Sequence, residues 1–185
     1  SSTSSSKWMA LGGADGSTAS VEFLSDVACR GSRLGLGVYV YNNYLYDRNE
    51  GIGTAAFHAT AQEVQQIVCA PLGVLTGEAG SVLRVVGNQD NDTNLRCASG
   101  IRGEVNGGLS IEMGGTGTLT LSGRDFASAG ELSVTDGTLE LAADASWANG
   151  GGVSVGGNGT LVLARGRGQL SPVAAVRFSG GGKLK

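Results

Sequence analysis

Gly117-Thr118-Leu119-Thr120-Leu121, Gly137-Thr138-Leu139-Glu140-Leu141 and Gly159-Thr160-Leu161-Val162-Leu163 are three versions of one line. The threonines at 118, 138 and 160 fall 20 and 22 residues apart. Leu-x-Leu has a period of two, which puts both leucines on one face of a strand and the residues between them on the other. Each line follows a shorter alternation: Leu109-Ser110-Ile111, Leu132-Ser133-Val134 and Val153-Ser154-Val155. Self-similarity at a fixed period of roughly twenty residues, carried by strands between glycine corners, predicts a stacked all-β solenoid in which each coil buries its inner face against the next.

The pattern extends beyond this segment. Val176-Arg177-Phe178, Ser179 to Gly182 and Lys183-Leu184-Lys185 repeat Val153-Ser154-Val155, Gly156 to Gly159 and Thr160-Leu161-Val162 at a spacing of 23. Val176, Phe178 and Leu184 are therefore expected on a last, incomplete coil, whose edge is a candidate for pairing with another subunit or with a longer chain. Toward the N-terminus, Leu83 and Val85 lie 26 residues before Leu109 and Ile111, and Leu95 and Cys97 lie 24 before Leu119 and Leu121. That predicts a longer, irregular first coil. The expected division is an N-terminal cap or irregular module with the first coils over residues 1–108, and regular coils over 109–185.

Within the first part, Ser1 to Ser6 reads as a linker or trimmed terminus. The absence of a signal peptide at Ser1 suggests a chain that begins after processing or is cut from something longer. Val21-Glu22-Phe23-Leu24 reads as a strand, and Gly31 to Gly37 supplies turns. Val38-Tyr39-Val40-Tyr41-Asn42-Asn43-Tyr44-Leu45-Tyr46 reads as a hairpin, because asparagine tolerates the positive φ of a type I′ turn. In that register Tyr41 faces Tyr44, Tyr39 faces Tyr46, and Val40 with Leu45 points to the opposite side, so all four tyrosines share one face. Thr60-Ala61-Gln62-Glu63 has the form of a capping box, with Val64, Ile67 and Val68 at helical spacing before Pro71, which predicts one short helix, although the β-branched content would also suit a strand.

The Gly115 to Gly123 stretch, with its echoes at Asp136 to Leu141 and Gly157 to Leu163, resembles the autotransporter-associated β-strand repeat of bacterial surface and secreted proteins. The resemblance implies a right-handed parallel β-helix passenger, exported across the outer membrane by a separate C-terminal barrel, and a secreted or cell-surface location. The repeat is a building block and transfers no catalytic residue.

Thirty-three glycines without a Gly-X-Y period exclude collagen. A net charge of -3 and a charged fraction of 16% argue against a nucleic-acid partner, which needs a concentrated basic face. No apolar run reaches the roughly eighteen residues of a transmembrane helix. Cys29, Cys69 and Cys97 match no metal spacing; one disulfide with one free thiol, or three buried thiols, are both open. No cofactor or metal is expected.

Catalytic candidates are few. His58 is the single histidine, and its neighbours Phe57 and Ala59-Thr60 supply no orienting carboxylate, so packing or capping is expected. Asn88 to Asn94 places oxygens at alternate positions as a calcium loop would, but fails the EF-hand test for Gly and Glu, so a solvated turn is expected. Gly156-Gly157-Asn158-Gly159 lacks the aspartate of a glycine-rich calcium repeat. Glu104, Glu112, Glu131, Asp136 and Glu140 could pair across coils for glycoside chemistry, although scattered surface acids are the plainer reading. Arg165-Gly166-Arg167-Gly168 is too small a basic loop for nucleic acid. The tyrosine face, Tyr39, Tyr41, Tyr44 and Tyr46, is the leading candidate binding surface, for glycans or other surface proteins. The expected function is a non-catalytic structural and adhesive solenoid. The alternatives are a self-assembling filament subunit with Val176, Phe178 and Leu184 at the contact, and a polysaccharide-active enzyme.

Overall fold

Period-two runs between glycine corners become strands throughout the described residues. The computed structural model describes residues 8–12, 16–25, 32–41, 44–46, 51–90, 95 and 97–185, and among these no residue is helical. Among the described residues, therefore, no helix is long and apolar enough to cross a membrane.

Three parallel sheets hold most of the strands. An eight-stranded sheet runs in the order Trp8–Leu11, Arg33–Leu36, Gln66–Cys69, Gly100–Ile101, Thr118–Leu121, Thr138–Leu141, Thr160–Leu163 and Lys183–Leu184. A six-stranded sheet runs Ala61–Val64, Val82–Val85, Ser110–Met113, Leu132–Val134, Val153–Val155 and Val176–Phe178. A four-stranded sheet runs Thr18–Phe23, Ile52–Phe57, Gly73–Gly77 and Glu104–Gly107. A parallel pair, Asp125–Phe126 with Ser146–Trp147, lies next along the chain, and Trp147 bridges onward to Leu170. Within each sheet the spatial order is the sequence order. From Ile52 onward the chain thus visits the four-stranded sheet or the short pair, then the six-stranded sheet, then the eight-stranded sheet, and begins again.

The register explains why this order is stable. Leu119, Leu139 and Leu161 are partners on successive strands, as are Leu121, Leu141 and Leu163. Like side chains sit one strand spacing apart, about 4.8 Å. Leu34 and Ile67, then Leu36, Cys69 and Ile101, carry the same two columns toward the N-terminus. The six-stranded sheet contributes Leu83, Ile111, Leu132 and Val153, and Val85, Met113, Val134 and Val155. The third wall combines the register partners Ala55, Leu75 and Val105 with aromatic pairs, Phe23 stacked on Phe57 at 5.0 Å and Phe126 tilted against Trp147 at 6.0 Å. These residues form one continuous buried core, with Phe23 and Leu163 partly buried at its margin. Each fully buried leucine or valine contributes about 1.5–3 kcal/mol. The corners need glycine: Gly117 and Gly137 have φ of +83° and +62°, and a Cβ on Gly137 would stand 2.5 Å from the Gly115 carbonyl.

The structure corrects the helix expected at the Thr60 capping box. Ala61–Val64 and Gln66–Cys69 are two strands in different sheets. The apolar residues Val64, Ile67 and Val68 are β-branched and pair on the ladders. The polar ones are buried with their amides on backbone: Gln62 Nε2 donates to Ser25 O at 2.7 Å, and Gln66 Nε2 to Asn88 O at 2.6 Å. Thr60 Oγ1 reaches Phe23 O at 3.5 Å instead of capping Glu63.

Register is corrected as well. Leu83 and Val85 pair with Ile111 and Met113, two residues beyond the expected Leu109 and Ile111. The same strand meets Leu132 and Val134 through Ile111 and Met113. A shift of two leaves every side chain on its face, which is why the pattern alone did not reveal it. The partner of Leu121 is Ile101, not Cys97. Leu95 leaves the sheet and bridges Leu45.

That bridge belongs to a small outer layer. Tyr39–Tyr41 and Tyr44–Tyr46 pair antiparallel, and Leu45 packs with Val38, Val68 and Ala70 in a second buried cluster, against Trp8, Ala10, Leu95 and Cys97. Ala10, Gly35 and Val68 are register partners, so this cluster lies over one row of the eight-stranded sheet. Gly35 leaves room for it: a Cβ there would be 2.7 Å from Val38 Cγ2. Cys69 is a free thiol in the main core. Cys97 is half-buried at the outer layer, and Cys29 lies outside the described residues.

Candidate functional site

The hairpin pairs Tyr39 with Tyr46, Val40 with Leu45 and Tyr41 with Tyr44. Leu45 is buried, while Tyr39, Tyr44 and Tyr46 are half-buried. The turn residues Asn42 and Asn43 lie outside the described residues. Because side chains alternate along a strand, Tyr44 and Tyr46 face away from the cluster that holds Leu45.

On the six-stranded sheet the outward residues form a charged ladder. Glu63, Arg84 and Glu112 are register partners on three adjacent strands. Arg84 Nη1 donates to Glu63 Oε1 at 3.1 Å, and Arg84 Nε lies 2.9 Å from Glu112 Oε2. The second contact is one of charge, since the Nε–H is not aimed along it. Glu112 and Glu63 together push the Arg84 guanidinium further toward its charged form, the close Glu112 carboxylate contributing most and partial burial opposing it.

Beside the ladder is a shallow groove of about 220 Å³ lined by Val82, Ser110, Ile111, Glu112, Glu131 and Ser133. Two of the five acids singled out in the sequence therefore share a site. Glu131 makes no ion pair among the described residues, and its backbone N–H donates to Ser110 Oγ at 3.0 Å. The other three do not join them. Glu104 pairs with Arg124 at 3.3 Å, Asp136 Oδ1 accepts from Gly137 N at 2.9 Å, and Glu140 stands between Thr120 and Val162 on the eight-stranded sheet. The groove is smaller than the ~300–1,000 Å³ of a typical small-molecule site and open to solvent along its length.

His58 does have a carboxylate partner, which the sequence reading missed by looking only at its neighbours. Its Nδ1 is 3.1 Å from Oε1 of Glu78, one circuit further along. Its Nε2 is buried without a hydrogen-bond partner, and Ala59, next to it, has a φ of +50°. A depression of about 140 Å³ beside this corner is lined by Ala56, Phe57, His58, Thr76, Gly77 and Glu78. That lining holds one hydroxyl, Thr76, and no serine or cysteine to act as a nucleophile for the pair.

In the calcium-like segment the described side-chain oxygens are engaged by backbone. Asn88 Oδ1 accepts from Asp90 N, and Asp90 Oδ1 from Thr118 N, each at 3.1 Å. Residues 91–94 lie outside the described residues. Arg165 closes its own loop through Arg167 O at 3.2 Å and Gly168 O at 2.9 Å. Val176, Phe178 and Leu184 are register partners of Val153, Val155 and Leu161 and are 40, 51 and 51% exposed.

A scan against protein-family models found no match, and searches of curated proteins and of solved structures found none either.

Proposed function

We propose that the chain is a right-handed parallel β-solenoid of the passenger type, secreted or displayed at a bacterial cell surface, with a structural and adhesive role and no catalysis of its own. The observation that supports this reading is the fixed rotation of the chain through its parallel sheets, leucine above leucine. In such a stack each rung holds the next through ladder hydrogen bonds and a shared core, which makes a stiff rod with outward faces free for partners. Residues 109–185 supply the regular coils, and residues 1–108 the cap and the irregular first coils.

The partner we assign is a glycan or another surface protein, at the face formed by Tyr39, Tyr41, Tyr44 and Tyr46, since phenolic rings combine contact area with a polar handle. Glycan-array binding by the purified chain tests this. Binding that disappears in a Tyr41→Ala/Tyr44→Ala variant, with no product released, supports the assignment. Binding that survives both changes overturns it, and turnover of a polysaccharide replaces it with an enzyme on the same scaffold.

The exposure of Val176, Phe178 and Leu184 favours a second reading, a filament subunit whose last rung receives the first strands of another copy. Sedimentation across a wide concentration range decides it. A single species, unchanged when the three residues are replaced by serine, removes this reading.

A further inference from the structure

The chain contains three Asn-Gly sequences: Asn106-Gly107, Asn149-Gly150 and Asn158-Gly159. In this dipeptide the glycine nitrogen reaches the asparagine side-chain amide most easily, because no Cβ obstructs its approach and the backbone turns freely. Ring closure further requires that the glycine N–H be unbound and that the amide be free to swing into an attack geometry.

The fold treats the three sites differently. Asn106 Nδ2 is held by Glu104 Oε2 at 3.0 Å, and Gly107 ends the strand Glu104–Gly107, in register with Gly77, with its carbonyl accepting from Ala129 N at 2.7 Å. Gly159 N donates to Gly156 O at 2.8 Å, and Asn158 N to Thr135 O at 3.1 Å. Asn149 is exposed on the connection between Ser146–Trp147 and Val153–Val155, and neither its side chain nor Gly150 N has a hydrogen-bond partner among the described residues.

We propose that Asn149 is a site of spontaneous deamidation, the Asn-Gly position that this fold leaves open while closing the other two. The Gly150 nitrogen attacks Asn149 Cγ and a succinimide forms. The Cγ–Nδ2 bond breaks and ammonia leaves, taking the proton of the Gly150 N–H. Water then opens the ring at one carbonyl or the other, giving aspartate or isoaspartate. One water enters and one ammonia departs, with no change of oxidation state.

The change does not stay at the surface. Gly150 is pressed against the indole of Trp147, so closely that a Cβ would fall 1.6 Å from Trp147 Cδ1, and Trp147 Nε1 donates to Gly130 O at 3.0 Å. Gly151 N is held by Ala129 O and Gly130 O at 3.1 and 3.0 Å. Isoaspartate lengthens the backbone by one methylene between these anchors, so Gly150 cannot keep its seat on the ring.

The test is incubation of the full chain at mildly alkaline pH, native and denatured, with peptide mapping by mass spectrometry. The amide-to-acid mass shift is expected first at Asn149 in the native chain, while all three sites react at similar rates in denaturant. Indole emission, read in a Trp8→Phe background, is expected to shift to the red in the isoaspartyl fraction and to stay unchanged in an Asn149→Asp variant, which carries the charge without the extra methylene. Native protection of Asn149 as strong as that of Asn106 or Asn158 overturns the site. An unshifted emission in the isoaspartyl fraction overturns its link to Trp147.

Discussion

The side-chain amide of Gln89 pairs with both backbone groups of Ile67: Nε2 donates to Ile67 O at 2.7 Å, and Ile67 N donates to Oε1 at 3.2 Å. Gln89 is buried, and its own N–H donates to Thr116 O at 3.0 Å. The strand that should cover Gln66–Cys69 is only two residues long, Gly100–Ile101, and reaches Val68 and Cys69. Ile67 is left without a strand partner there, and one glutamine supplies the missing donor and acceptor.

Replacing Gln89 with leucine keeps the bulk and removes both bonds. Two buried backbone groups are then unpaired, at about 1–3 kcal/mol each. Gln89→Glu is expected to lose stability as well, because a carboxylate cannot donate to Ile67 O. Urea unfolding of both variants checks this; stability equal to the parent would show that water replaces the amide.

Leu139 lies in register between Leu119 and Leu161. Leu139→Ala opens a cavity that two rungs share, with an expected loss of about 2–5 kcal/mol. The same change at Leu184, half exposed, is expected to be several-fold milder. Thermal unfolding of the pair measures the contrast.

Arg84→Met removes the cation between Glu63 and Glu112. The side chains are partly exposed, so each pair is worth about 0.2–1 kcal/mol and weakens with salt. The stability gap between parent and variant is expected to narrow as sodium chloride is raised. A gap independent of salt would assign the effect to the aliphatic stem of Arg84.

Burial pushes the Cys69 thiol from 9.0 up to about 12, against smaller opposing effects of the Gly103 backbone, Arg124 and Arg102. The folded value lies above the unfolded one. The contribution is therefore fully present below about pH 9 and is lost as pH rises toward the folded value. Cys69→Val is expected to unfold less steeply with alkali over that window. The native thiol should also resist a thiol reagent at pH 8, until denaturant is added.

Leu-x-Leu after a glycine corner was legible because period-two alternation and a twenty-residue repeat are properties of the chain itself: they dictate strands, an inward leucine column and parallel succession wherever Thr118, Thr138 and Thr160 recur. The tyrosine pairing around Leu45 was legible for the same local reason. The meeting of Glu112 and Glu131 in one groove, of His58 with Glu78, and of Gln89 with Ile67 depends on which residues lie one rung apart. That offset changes by two with no cost to the pattern, as it does between Leu83 and Ile111, and changes more between Val82–Val85 and Gly100–Ile101, where Leu95 bridges Leu45 instead. Thr60 to Val68 read as a helix because capping and helical spacing are local, whereas the burial of Gln62 and Gln66 against carbonyls from other rungs is not. Face and period follow from covalent geometry along one strand; neighbours across rungs are set by loop lengths and close packing, which only the folded chain decides.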